Sequence, residues 1–316
     1  MKIVVLDKET LGRDISLEAI EEYGEVVAYP TSTYEEAIQR VKDADVVILN
    51  KIKITRELID NAKKLKLVCV TATGYDNIDI NACRENNIAV CNVVGYSTNS
   101  VAQVTLAIVL SLSVNLPSFN DFVKSGEYTK SGIANKLTPV YSELCGKTWG
   151  IVGYGNIGKQ VGNIAKALGC RVIVNKRTPC DDVECVDLET LCKEADVITV
   201  HTPLNDGTRE IINKKTLALM KKNVILVNVA RGAVLNEDDV CNAIINGEIG
   251  AFGCDVYSTE PFSNEHLYNK IMNMENVILT PHMAWGAYEA RERCINEIAK
   301  NIKAFSVGEI RNRVDL

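Results

Sequence analysis

The chain has 316 residues, 47% hydrophobic and 24% charged, with 35 basic against 41 acidic side chains and a formal net charge of −6. That is the make-up of an ordinary globular protein of about two domains, and a net acidic balance without a long basic run excludes phosphate-backbone binding as its main role. The eleven cysteines form no C-x-x-C pair and no Cys/His cluster of zinc spacing, so no metal is expected and the thiols read as reduced and mostly buried in a cytoplasmic protein.

The first residues, "MKIVVLDKET", form a strand-like run too short for a signal peptide. "KIVVLD", "DVVILN", "KLVCVTA" and "NIAVCN" are dense in Val and Ile and bounded by polar residues, the pattern of parallel strands covered on both faces. Between them "SLEAIEEYG", "TYEEAIQRVKDA" and "TRELIDNAKK" have helical spacing, with starting caps predicted at Ser16, Thr33 and Thr55. No charged residue occurs between Glu85 and Asp121, yet Gly95, Pro117 and scattered Asn, Ser, Thr and Gln interrupt that stretch. It never offers some 20 apolar residues in a row, so no membrane span is expected. It reads as a strand, a loop and one long buried helix, "SVAQVTLAIVLSLSVNL".

A second series begins near Trp149: "TWGIVG", "RVIVN", "DVITVH", "NVILVNVA", "IGAFGCD" and "NVILTPH", separated by helical segments such as "NEDDVCNAIING". Two successive β-α series predict an α/β protein of two doubly wound parallel-sheet domains. A last helix over roughly Trp285 to Phe305 carries Ile295, Ile298, Ile302 and Phe305 on one face, which must pack on the first domain because the second sheet is complete. The expected domains are 1–99 plus 289–316 and 100–288, joined by two crossings that suit a closing cleft.

"VGYGNIG" places Gly153, Gly155 and Gly158 in G-x-G-x-x-G order, after a strand and at the opening of a helix. Gly153 permits the tight turn, Gly155 lets backbone approach a pyrophosphate, and Gly158 allows close helix–strand packing. The helix start, with Asn156 and Ile157, offers unpaired amides and the positive dipole end. The flanking strand and helix make this a dinucleotide seat rather than a stray glycine turn.

Three later strands end in polar residues at the edge where doubly wound folds bind ligands: "NVILVNVARG" with Arg231, "GAFGCDVYSTEP" with Asp255 and Glu260, and "NVILTPH" with His282. Each has a plain alternative: a surface charge, a turn cap, a packed histidine. Carbonyl reduction by a nicotinamide hydride needs a proton donor at the developing alkoxide. His282 is the better of two candidates, the other being His201 in "HTPLNDGT". Glu260 beside the imidazole is expected to orient it and keep it protonated, and Arg231 can clamp a carboxylate and carbonyl through paired N–H donors.

With those residues in view the chain resembles the D-isomer-specific 2-hydroxyacid dehydrogenase family along its whole length. The matching stretches are "TATGYDNID", "GYSTNSVAQ", "GIVGYGNIG", "HTPLNDGTR", "VNVARG", "GCDVYSTEP" and "TPHMAW". The resemblance implies a Rossmann-type dinucleotide domain and a flavodoxin-like substrate domain, a catalytic set of Arg231, Glu260 and His282, and a homodimer. It also implies that Asp255, Val229, Ala230, Thr202 and Pro203 hold the nicotinamide end. Amides of Ala72, Thr73 and Gly74 would bind the substrate carboxylate, with Thr73 also near the cofactor. "GYSTNSVAQ" and "PHMAW" are most similar to the glycerate dehydrogenase/hydroxypyruvate reductase branch, in which Trp285 walls the substrate pocket. The implied substrates are small 2-keto and 2-hydroxy acids; a nucleotide-sensing corepressor and a dehydrogenase of larger 2-keto acids are the alternatives.

Two departures stand out. Gln103 replaces a glutamate common in that helix. Lys176, 23 residues after Gly153, stands with Arg177 and Thr178 where an acidic residue ordinarily receives the ribose hydroxyls of NAD. A missing carboxylate removes both that contact and the repulsion of a 2′-phosphate, so NADP(H) is the expected preference, with NAD(H) as the other possible cofactor.

Overall fold

Every apolar run of the first series becomes a short parallel strand, and one further strand joins them. In the computed structural model, which describes residues 1–178 and 180–316, these are β1 (Lys2–Val5), β2 (Glu25–Ala28), β3 (Val46–Leu49), β4 (Leu67–Val70) and β5 (Ala89–Cys91), in the order β2-β1-β3-β4-β5. This is a doubly wound order. β3, β4 and β5 are buried along their length, so they lack the alternation of a half-exposed strand. The edge strand β2 was not anticipated: it is never buried and begins on an exposed glutamate.

Local signals set the helices. Thr33 caps helix Tyr34–Arg40 in a reciprocal box with Glu36, and Thr55 caps helix Arg56–Asn61. The hydroxyl of Ser16 does accept the Glu18 N–H, but Leu17 occupies the boundary of the single turn Glu18–Glu21. The last helix runs Tyr288–Ser306, three residues later than Trp285. Its Ile295, Ile298 and Ile302 pack with Ile3, Val5, Ile48 and Leu67 on one face of the β1–β5 sheet. Met1–Ser97 and Trp285–Leu316 therefore make one unit, and Thr98–Ala284 makes the other.

The second unit holds β6 (Thr148–Val152), β7 (Arg171–Asn175), β8 (Glu184–Cys185), β9 (Val197–Val200), β10 (Ile225–Asn228), β11 (Ala251–Cys254) and β12 (Val277–Leu279). Their order is β8-β7-β6-β9-β10-β11-β12, all parallel. That is the six-strand dinucleotide-binding arrangement with a seventh strand added, and the order reverses between β6 and β9. β8, only two residues long, escaped the sequence reading. The long buried helix also ends sooner than expected, running Thr98–Ser113 before Asn115 turns left-handed (φ 51°) and a second helix, Leu116–Lys124, begins. Among the described residues no single helix is long and apolar enough to cross a membrane.

Candidate active site

The glycine turn sits at the point where the strand order reverses. Gly153 has φ +94°, and a β-carbon there would lie 2.6 Å from the Thr202 amide nitrogen, so the ends of β6 and β9 touch backbone to backbone. The Gly153 N–H donates to the Asn175 carbonyl at 2.8 Å, and the His201 N–H to the Val152 carbonyl at 2.7 Å. A β-carbon on Gly158 would meet the Gly153 carbonyl oxygen at 2.2 Å, whereas one on Gly155 would meet nothing within 4 Å. Helix Asn156–Ala167 starts at Gly155 with no side-chain cap on its first amides. A tight turn, an open α-carbon and uncapped amides, Ile157 and Gly158 included, together fit a pyrophosphate.

β7 ends at Asn175, whose side-chain amide donates to the Val186 carbonyl at 3.1 Å. Beyond it Lys176 is half-buried, and Arg177 and Thr178 are exposed. Two carboxylates that the sequence reading passed over follow at once. The Cys180 thiol holds the Asp182 carboxyl below its ordinary range, as does Lys159 of the glycine-turn helix, 3.5 Å away.

Arg231, Glu260 and His282 lie past the C-terminal ends of β10, β11 and β12, three strands adjacent in the sheet. Thr202 and Pro203 follow β9, and Val229 and Ala230 follow β10, on the same edge. Buried Asn228 staples the Arg231 loop, its amide donating to the Arg231 carbonyl at 2.9 Å and its oxygen accepting the Ala230 N–H at 3.0 Å. The Arg231 guanidinium reaches the Ala230 carbonyl at 2.8 Å. Asp255, 1% exposed, accepts the Thr280 hydroxyl at 2.6 Å and the amides of Met283 and Ala284 at 2.8 and 2.9 Å. It thereby ties the end of β11 to the loop that carries His282.

His282 Nδ1 lies 2.6 Å from Glu260 Oε2, both side chains being about a quarter exposed (24% and 26%). Glu260 Oε1 accepts the Tyr257 N–H at 3.1 Å. The backbone of His282 is left-handed, φ 53°, a conformation that costs a non-glycine residue roughly 1–2 kcal/mol and that clusters at functional sites. His201 is different. Both its ring nitrogens are buried without a hydrogen-bond partner among the described residues, and burial pushes its pKa down to about 3. Near neutrality that imidazole holds no proton acidic enough to give, which separates the two histidines on physical grounds.

In the other unit Ala72, Thr73 and Gly74 follow β4. The Thr73 hydroxyl donates to the Val93 carbonyl at 2.8 Å, and the Asn92 amide donates to the Thr73 carbonyl at 2.7 Å. Trp285 packs edge-on against Tyr96, with ring centroids 6.4 Å apart.

Residues 106–284 match the model for the NAD-binding domain of D-isomer-specific 2-hydroxyacid dehydrogenases. A hydroxypyruvate reductase of Blautia hydrogenotrophica is 36% identical, with 100% of each chain covered. The chain belongs to the D-isomer-specific 2-hydroxyacid dehydrogenase family. A glyoxylate reductase of Thermococcus litoralis is 38% identical over 86% of this chain and 84% of its own. Among solved structures, an acyclic imino acid reductase in complex with NADPH and D-Arg superposes with a TM-score of 0.87 at 30% identity, covering 99% of this chain and 100% of its own. For this 2-hydroxyacid dehydrogenase the sequence reading missed Asn228. Its signal was visible, a lone amide inside the apolar run "VILVNVA".

Proposed function

We propose that this 2-hydroxyacid dehydrogenase reduces small 2-keto acids, hydroxypyruvate and glyoxylate first, to D-2-hydroxy acids, with NADPH preferred over NADH. The observation that carries the reading is the 2.6 Å contact between His282 Nδ1 and Glu260 Oε2 at the sheet edge that also bears Arg231. The relatives named above, a hydroxypyruvate reductase and a glyoxylate reductase, support the choice of substrates.

The dinucleotide, when bound, supplies the hydride. A carboxylate at Nδ1 requires a proton on that nitrogen, so the proton given to substrate leaves from Nε2. As the carbonyl oxygen gains negative charge it takes that proton, and the neutral imidazole keeps its Nδ1–H on Glu260. Arg231 binds the keto acid through two parallel N–H donors, a geometry a lysine ammonium cannot reproduce. Amides of Ala72, Thr73 and Gly74 receive the substrate carboxylate, and Trp285 limits the size of the substrate side chain. Asp255, with the backbone at Thr202, Pro203, Val229 and Ala230, shapes the seat of the nicotinamide. Gly153, Gly155, Asn156, Ile157 and Gly158 hold the pyrophosphate, and Lys176, Arg177 and Thr178 the 2′-phosphate. NADPH in the related imino acid reductase is consistent with that last assignment.

The assembly we propose is a homodimer. Leu116, Val123, Ile133, Leu137 and Val140 leave a run of large apolar side chains exposed between residues 116 and 140, a patch that a second copy would cover. Eleven free thiols fit a reducing, cytoplasmic compartment.

The test is catalytic efficiency on hydroxypyruvate, glyoxylate, pyruvate and bulkier 2-keto acids with each cofactor. Highest efficiency on the two small acids is expected. Better efficiency on branched or aromatic acids would overturn the substrate choice, and no turnover with any 2-keto acid would overturn the reading as a whole.

A further inference from the structure

We propose that Glu237 and His266 are positioning residues for Glu260: a second carboxylate–imidazole pair locks the Tyr257–Ser258 dipeptide and so sets Glu260 against His282. The inference rests on the role given to Glu260 above.

Glu237 is the first residue of helix Glu237–Ile245, a place where acidic side chains are ordinarily solvated and stabilised by the helix dipole. Here the side chain is only 10% exposed. Its Oε1 accepts the Ser258 N–H at 2.9 Å, and its Oε2 accepts the Ser258 hydroxyl. The same Oε2 lies 3.1 Å from Nε2 of His266. His266 Nδ1 accepts the Tyr268 N–H at 3.2 Å, so the ring proton sits on Nε2 and is donated to Glu237. Three donors, the Ser258 N–H, the Ser258 hydroxyl and the His266 Nε2–H, converge on one carboxylate.

The surroundings are apolar. The Phe262 ring is 5.2 Å from that of His266 and 4.8 Å from that of Tyr257, and Tyr268 is 4.7 Å from His266. These rings shield the His266 side of the contact, while Ser258 itself is exposed, so it is the paired geometry rather than dryness that fixes the dipeptide. Gly232 also presses on the dipeptide: a β-carbon there would meet the Tyr257 carbonyl carbon at 2.0 Å and the Ser258 nitrogen at 2.1 Å. Tyr257 and Ser258 are thus held both by the residue that follows Arg231 and by the Glu237 carboxylate. The Tyr257 N–H in turn holds Glu260 Oε1. Loosening Ser258 releases the grip on Glu260 while leaving the side chains of His282, Arg231 and the glycine turn themselves unaltered.

Glu237→Gln keeps the shape but sets an amide donor against a hydroxyl and an imidazole that are already donors. It should lower kcat roughly ten- to a hundredfold, the cost of a small misplacement at a reacting centre, with KM for keto acid and cofactor unchanged. In a Glu260→Gln background the same change should cost less than about twofold, because groups acting through one another are not additive. Ser258→Ala, a milder variant, should show a smaller kcat loss with the same disappearance. Equal losses in both backgrounds, or a rise in KM in place of the fall in kcat, would reduce the pair to a structural role and overturn the inference. If Glu260→Gln alone leaves kcat intact, it is the assignment of Glu260 that fails.

Discussion

Gly153 is pressed against Thr202: a β-carbon at position 153 would stand 2.6 Å from the Thr202 nitrogen, while one at position 155 would stand clear of every atom by 4 Å. Two alanine substitutions two residues apart should therefore fail differently. Gly153→Ala meets both a backbone clash and a left-handed φ, a conformational cost of order 1–3 kcal/mol before the clash, and should lower Tm. Gly155→Ala should keep the wild-type Tm and lose cofactor affinity, because its methyl group fills the room meant for the pyrophosphate. Thermal unfolding with a fluorescence titration of NADPH separates them. Tight NADPH binding by Gly155→Ala would remove the turn from the cofactor site.

His282→Ala should lower kcat by about 10²–10⁴-fold, the usual worth of a positioned acid, with NADPH affinity unchanged. Arg231→Lys should fail in kcat/KM for the keto acid, since a point charge cannot replace the planar fork. Steady-state kinetics with a separate binding titration decides both. Turnover within a few-fold of wild type for His282→Ala would return the question to an unidentified donor, because burial disqualifies His201 and the ring proton of His266 is committed to Glu237.

Lys176→Asp with Arg177→Ala should invert the cofactor preference. One good charge-assisted contact to a phosphate contributes about 1.5–3 kcal/mol, or roughly ten- to a hundredfold in discrimination. Asp181 and Asp182 follow on the same stretch of chain and blunt its positive field, so the wild-type preference should sit toward the lower end. Comparing kcat/KM for NADPH and NADH in both proteins reads this directly. A wild type that already favours NADH would make the basic pair a solvated turn.

Acid should destabilise the fold through His201. Its pKa is about 3 when folded and near 6.5 once the ring is free in water. Below about pH 6.5 the unfolded chain therefore binds a proton that the native state refuses. The contribution is fully present above that pH and is lost progressively as pH falls toward 3, by about 3 kcal/mol at pH 4.5. His201→Asn should be less stable at neutral pH yet lose less on acidification. Urea midpoints at pH 7 and pH 4.5 supply the comparison, and parallel losses in the two proteins would assign the acid sensitivity elsewhere.

The parts legible in the sequence were those where burial leaves a continuous apolar signature. β3, β4 and β9 are buried at every residue, and their Val- and Ile-rich runs stood out. β2 and β8 lie at sheet edges, one beginning on a glutamate and the other two residues long, so neither leaves such a run. The end of helix Thr98–Ser113 was hidden because the apolar pattern continues past it, and only the left-handed turn at Asn115 stops it. Gly153, Arg231, Glu260 and His282 could be named because chemistry restricts which residue types serve at a strand end. Glu237 and His266 could not. An acidic residue in a helix's first turn is ordinary, and the 29 positions separating the pair are closed only by the fold.

The return of the last helix to the first sheet has a consequence for how the protein is made. Residues 98–284 are one uninterrupted stretch and can collapse on themselves as soon as they leave the ribosome. The β1–β5 sheet is synthesised earlier but finished later. Until Ala290, Cys294, Ile295, Ile298 and Ile302 emerge, the face formed by Ile3, Val5, Ile48, Leu67 and Cys69 is covered only in part, by Leu11, Ile15 and Ile20. The sheet made earlier is then completed later, and it waits with part of an apolar face open, the condition in which chains stick to one another. A chain cut short at residue 287 would keep the Thr98–Ala284 unit whole and leave the β1–β5 sheet without its last helix.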